Sequence, residues 1–294
     1  MAPANYGPCY KQIVEPNACS IMRHIEVIIQ KNIGILKSKP NLAHISKPLI
    51  DREACIYEGG NLIAIYKKAE FDLTEVRSAC LNLKFGKVQR QSGILTKTLT
   101  INASARNASR SDYCRHTKFR QNHPELHDVF LKYGRLMSKP YKKYFKPQYA
   151  KQVVANFSKG GVNASYRISG TPFTSGVINK NTSLGYHKDR LNTKDGLSCM
   201  LILKSAVSGG ELILPELNIA FACQDGYILL FDGQRFYHGV TPIITPQNGL
   251  AYRYTIVYYN NNGMRLCLPP QQELERYALQ LDLQLERKLY LNEK

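Results

Sequence analysis

Residues 209–233 read GGELILPELNIAFACQDGYILLFDG. Three short apolar runs, Glu211–Leu214, Ile219–Cys223 and Tyr227–Phe231, are set apart by Gly-Gly, Pro and Asp-Gly. Runs of this length bounded by turn residues read as strands, because a helix needs a longer uninterrupted stretch. The same texture extends both ways, through Val162–Ile168, Thr174–Asn179, Leu197–Leu203, Arg235–Val240 and Ala251–Tyr259. About eight short strands in some hundred residues predict a double-sheet jelly roll.

The flanks differ. Ile21, Ile25, Ile28, Ile29 and Leu36 recur at near-helical spacing and predict an amphipathic N-terminal helix, with Asn17 or Ser20 as its cap. Residues 58–67 read as a strand. Phe71–Leu83 and Pro124–Leu136 read as helices, and so does Gln271–Tyr290 after Pro269-Pro270. Leu274, Tyr277, Ala278, Leu281, Leu285 and Leu289 would form the inward face of that last helix. The chain is therefore expected to be α+β. Residues 1–152 would form an N-terminal region with helices and residues 153–265 the jelly-roll core. A C-terminal helix, 266–294, would pack on that core.

The formal charge is +18 over 294 residues, which favours a polyanionic partner such as nucleic acid. From Lys84 to Arg120 the only acid is Asp112, against nine Lys and Arg. Ser, Thr, Asn and Gly fill the remainder, so 84–120 is expected to be an exposed basic loop facing DNA. In Lys139–Lys151 aromatics alternate with lysines. That pattern fits a stacking surface for bases, or a helix with buried rings and solvated lysines. No apolar run is long enough to span a membrane, and no signal peptide is visible. The eight cysteines include no CxxC pair, and Cys199 and Cys223 sit in apolar runs as buried thiols. A reducing intracellular compartment is expected.

His187-Lys188-Asp189, answered by His238, is the candidate chemistry. Residues two apart on a strand face one side. Two imidazoles and a carboxylate are the set that holds iron(II) with one face open. Arg253 lies on the last predicted strand, where alternation with Thr255 and Val257 turns it inward. A buried guanidinium needs an anion, either a dicarboxylate held bidentately or an ion-pair partner such as Asp225 or Asp232.

Together, His187–Asn192, Gly209–Pro215, Tyr227–Gly233, His238–Ile243 and Arg253–Tyr259 resemble the TET/JBP family of iron(II)- and 2-oxoglutarate-dependent dioxygenases of nucleic-acid bases. The likeness covers roughly 160–262. A looser one around Arg110–Arg115 and on to His127 is nearer to fungal and protist members. The resemblance implies a double-stranded β-helix, with His187, Asp189 and His238 as iron ligands and Arg253 as the 2-oxoglutarate anchor. It also implies that Asn192 reads the base and that Tyr259 shapes its pocket. Asn261 stands where methylcytosine-oxidising members carry a base-contacting histidine, and its amide can still donate and accept. Arg167, Arg106 and Arg90 are candidates for a second 2-oxoglutarate arginine.

The implied reaction is O2-dependent oxidation of the 5-methylcytosine methyl group in DNA, by a monomer that is nuclear if its source is eukaryotic. Thymine, N6-methyladenine and methylated RNA are alternatives, as is a non-catalytic binder. AlkB-type demethylation is disfavoured, because Tyr259 stands where those enzymes carry a second arginine.

Overall fold

The computed structural model describes residues 22–30, 34–89, 95–106, 112–246 and 250–292. Asn17, Ser20, Ile21, Arg90 and Arg110 lie outside them, as does the Leu289 side chain. In chain order the first strands are β1 (Arg23–Val27), β2 (Ala54–Glu58) and β3 (Asn61–Lys68), followed by α1 (Thr74–Asn82). Next come β4 (Lys87–Gln89), β5 (Leu95–Ser104) and β6 (Arg115–His116). Helices α2 (Lys118–Asn122), α3 (Pro124–Tyr144) and α4 (Lys146–Phe157) then lead into β7 (Ser175–Lys180) and β8 (Ser198–Ser205). The short strands β9 (Ser208–Gly209), β10 (Leu212–Leu214) and β11 (Ile219–Phe221) precede β12 (Tyr227–Phe231). The chain ends with β13 (Gly239–Val240), β14 (Ile243–Ile244), β15 (Tyr252–Tyr259) and α5 (Pro270–Asn292).

The main sheet runs β1-β2-β3-β12-β8-β15-β7-β5-β4, with β6 on β5; a smaller sheet runs β11-β10-β13, and β14 pairs β9. Alternation along β15 decides what each face of the main sheet meets. Tyr252, Tyr254, Ile256 and Tyr258 join Phe130, Tyr133, Met137 and Tyr141 of α3 in one core. Val257 points the other way, into a second core shared by Met200, Ile202 and Leu229 with Leu212, Leu214 and Phe221 of the small sheet. The sheet thus has helices behind it and the small sheet in front, as the strand texture predicted.

Several expectations change. The predicted N-terminal helix is instead β1, paired parallel with β2, and a 3-10 turn at Gly34–Lys37. Ile25 and Val27 are β-branched, and pairing with β2 outweighs an ambiguous apolar spacing. The basic loop is largely structured: β5 pairs with β7 on one side and β4 on the other. Its Leu99 and Ile101 alternate with Thr98, Thr100 and Asn102, a strand pattern masked by threonine and lysine. Since β1 to β5 share the sheet of β7, β8, β12 and β15, the sheet has no break near residue 152. Val162–Ile168 holds only a 3-10 turn, where the Asn163 side chain accepts from Ser165 N. Lys139–Lys151 takes the helical reading, with Tyr141, Tyr144 and Phe145 buried and the lysines exposed.

Helix α5 forms, but Leu274, Leu281 and Leu285 are exposed, Leu285 by 59%. Leucines at 279, 281, 283 and 285 recur every second residue, which spreads them around a helix instead of along one face. Its inner end is held at Glu273, which accepts from Arg106, Cys114 N and Leu268 N. Cys114 and Cys267 form a disulfide at the same corner, which does not fit the expected reducing compartment; Cys199 and Cys223 are free and buried, as expected.

Candidate metal and cosubstrate site

His187 and Asp189 lie on the segment between β7 and β8, and His238 just before β13. His187 N donates to His238 O and His238 N to His187 O, both at 2.9 Å. This two-residue bridge sets the imidazole centroids 4.3 Å apart. Asp189 N donates to Gly233 O at 2.8 Å, which fixes the carboxylate beside the rings. Asp189 Oδ1 lies 3.8 Å from His187 Nε2 and 3.7 Å from His238 Nε2. Among the described residues these three are the His/Cys/Asp/Glu group that could hold a metal, with one ligand atom each inside 4.8 Å.

The tautomers follow from the backbone. His187 Nδ1 lies 2.9 Å from Gly185 O, and His238 Nδ1 3.2 Å from Phe236 O. A carbonyl only accepts, so each Nδ1 carries a proton and each Nε2 is the ring nitrogen turned toward Asp189. Phe231 packs edge-on against His238 at 5.2 Å. The set fits a divalent ion that takes imidazole and carboxylate.

Arg253 lies on β15, between β7 and β8, with 2% of its surface exposed. Its Nε and Nη2 are buried without a hydrogen-bond partner among the described residues. Neither proposed carboxylate reaches it. Asp225 pairs with Arg77, and Asp232 Oδ1 accepts from Gln234 N and Arg235 N. Buried unpaired guanidinium nitrogens are costly, which fits a site shaped for an anionic ligand. Asn181 fixes the strand here: its N donates to Arg253 O at 2.9 Å, and its Oδ1 accepts from Arg253 N at 2.6 Å. Gly210 (φ +78) lies against the Arg253 side chain, where a Cβ would collide with Cδ and Nε.

Asn192 is 6% exposed, and its amide turns inward, 3.0 Å from Ser198 Oγ and 3.4 Å from Asp189 Oδ2. The donor expected to read a base is thus directed at the carboxylate side. Asn261 pairs with Asn192 through the backbone, and its Oδ1 accepts from Gly263 N to cap the next 3-10 turn. Tyr259 ends β15 opposite Ser175, half-buried on the Arg253 face. Arg106 pairs with Glu273. Arg167 donates to Val162 O and stacks over Phe157, so both are engaged elsewhere. In the basic stretch Arg115 pairs with Asp112 and Arg120 donates to Asn102 Oδ1, leaving Lys84, Lys97 and Lys118 exposed. Ser198, Asn181, Gly210 and Gly233 were not singled out in the sequence. The first two look like ordinary strand-end and turn residues, and the glycines read as punctuation.

Residues 102–262 match the Tet_JBP family, the oxygenase domain of the 2OGFeDO superfamily. The chain belongs to this family. Its cofactors are accordingly iron(II) and 2-oxoglutarate. The bifunctional helicase and thymine dioxygenase JBP2 of Leishmania braziliensis is 29% identical over 128 residues, 42% of this chain and 12% of that protein. Thymine dioxygenase JBP1 of Trypanosoma brucei brucei is 28% identical over 122 residues, 42% of this chain and 14% of that protein. These matches thus span under a fifth of either relative's length. Among solved structures, NgTET1 in complex with 5mC DNA superposes with a TM-score of 0.60 at 16% identity, covering 88% of this chain and 91% of that one. That likeness is one of fold.

Proposed function

We propose that the chain oxidises the methyl group of a 5-methylpyrimidine in DNA, with 5-methylcytosine as first substrate. The observation that carries this reading is the presence of both the His187–Asp189–His238 cluster and a buried Arg253 whose Nε and Nη2 have no partner among the described residues. His187, Asp189 and His238 would hold iron(II), and Arg253 would hold the far carboxylate of 2-oxoglutarate through a charge-assisted pair. When bound, the metal and cosubstrate supply the oxidising power for C–H hydroxylation. The chain's own residues orient. The His187–His238 bridge fixes the rings, Asn181 holds the arginine backbone, and Gly210 leaves room beside the guanidinium.

The substrate class rests on the family and on the net charge of +18. A base must leave its stack to reach a buried centre. Tyr259 and Asn261 flank the same end of β15 and are the residues proposed to meet it. The second reading is thymine, favoured by relatives named thymine dioxygenases.

The deciding experiment supplies iron(II), 2-oxoglutarate and oxygen with a panel of duplexes carrying 5-methylcytosine, thymine or N6-methyladenine, and a methylated RNA. Nucleosides are then read by mass spectrometry. Oxidised 5-methylcytosine supports the first reading and 5-hydroxymethyluracil the second. No oxidised base from any member overturns both.

A further inference from the structure

We propose that Ser198 and Asn192 are positioning residues that make Asp189 a one-oxygen ligand and so keep a position open on the metal. This rests on the metal reading above. Ser198 opens β8 and is 1% exposed. Its Oγ donates to Asp189 Oδ2 at 3.1 Å, and Asn192 Nδ2 donates to Ser198 Oγ at 3.0 Å. With the serine oxygen accepting from the amide, its proton is directed to the carboxylate. The Asn192 amide also reaches Oδ2 itself, at the longer distance of 3.4 Å.

The backbone holds this chain in register. Asn192 N donates to Asp189 O at 3.0 Å, and Asp189 N to Gly233 O. Gly233 closes the niche from the other side: a Cβ there would collide with Asp189 Oδ2 and with Ser198 Oγ. Oδ2 is therefore enclosed by donors and backbone, while Oδ1 faces both imidazole Nε2 atoms.

A carboxylate binds a metal through one oxygen or two. With three protein ligands and a two-oxygen cosubstrate, a six-coordinate ion held here would have one position left. A second Asp189 oxygen on the ion would fill it. Hydrogen bonds that hold Oδ2 away guard that position, and outer-shell partners of this kind typically alter metal affinity about 10–100-fold.

The test is an anaerobic titration of the full chain with cobalt(II), read by visible absorption, whose intensity follows coordination number. Ser198→Ala is expected to change cobalt(II) affinity by at least about tenfold and to alter the spectrum. Ser198→Thr, which keeps the hydroxyl, is expected to restore both. Asn192→Ala leaves the serine in place and is expected to shift the spectrum in the same direction; it serves if Ser198→Ala does not fold. Parent-like affinity and spectrum in the folded alanine variants overturn the proposal. A parent chain that binds no cobalt(II) overturns the metal reading itself, a distinguishable result.

Discussion

His187 and His238 exchange two backbone hydrogen bonds of 2.9 Å, although 50 residues of chain separate them. The pairing holds both rings without help from either side chain. His238→Ala is therefore expected to keep its circular dichroism while losing metal binding and turnover. Anaerobic metal titration beside a far-ultraviolet spectrum checks this. A variant that retained tight metal binding would remove His238 from the site.

Arg253 gives a prediction of opposite sign for stability and function. Its buried Nε and Nη2 have no described partner, and each unpaired buried donor costs about 1–3 kcal/mol. Arg253→Met is thus expected to melt no lower than the parent without cosubstrate. The parent should gain melting temperature on adding 2-oxoglutarate with an inert metal, and the variant should gain none. Arg253→Lys keeps the charge without the planar fork, so its KM for 2-oxoglutarate should rise by at least about tenfold. Thermal shift and steady-state kinetics read the two effects.

His127 sets a pH dependence. Burial lowers its pKa to about 4, with Arg120 adding to the effect, and its Nε2 accepts from Asn102 N at 2.9 Å. A histidine held neutral in the fold takes up its proton more readily once unfolded. Its contribution is complete above the usual value of about 6.5 and declines as pH falls toward 4. Denaturant midpoints should fall over that window. His127→Gln, whose amide oxygen can accept from Asn102 N, should flatten the slope.

Glu273 ties α5 to the segment around Cys114. Burial alone would raise its carboxyl, but Arg106 and the Leu268 and Cys114 N–H groups outweigh that and hold it at about 2. Its stabilisation is present above the ordinary carboxylate range and is lost as pH falls toward 2. Glu273→Gln at neutral pH should cost about 2 kcal/mol. That is below the ~3–5 kcal/mol of a fully buried pair, because Arg106 keeps 31% of its side chain exposed. Urea unfolding at pH 7 measures it.

The strand-rich half was legible because each run ended in a turn residue with a local reason to be there. Leu212–Leu214, Tyr227–Phe231 and Tyr252–Tyr259 lie where the texture put them. The grouping of His187, Asp189 and His238 was legible because its spacing carries chemistry, and the burial of Arg253 because alternation on β15 faces it inward. Strand β1 was not, because its partner β2 is distant in sequence, and β5 was not, because lysine and threonine mask its alternation. The inward turn of Asn192 was hidden for a related reason. It depends on Ser198, whose place beside Asp189 is set by the start of β8.

The two halves of the site rest on different footings. Arg253 stands on a strand hydrogen-bonded along both edges, whereas His187 and Asp189 hang on a connection between strands. Segments outside such ladders open at lower free energy than the strands within them. Amide exchange should therefore be slowest at Arg253 and faster around His187–Asp189. In that order of opening an ion held by His187 and Asp189 would escape and return while the surroundings of Arg253 stay formed, so reloading a stripped sample would require no refolding.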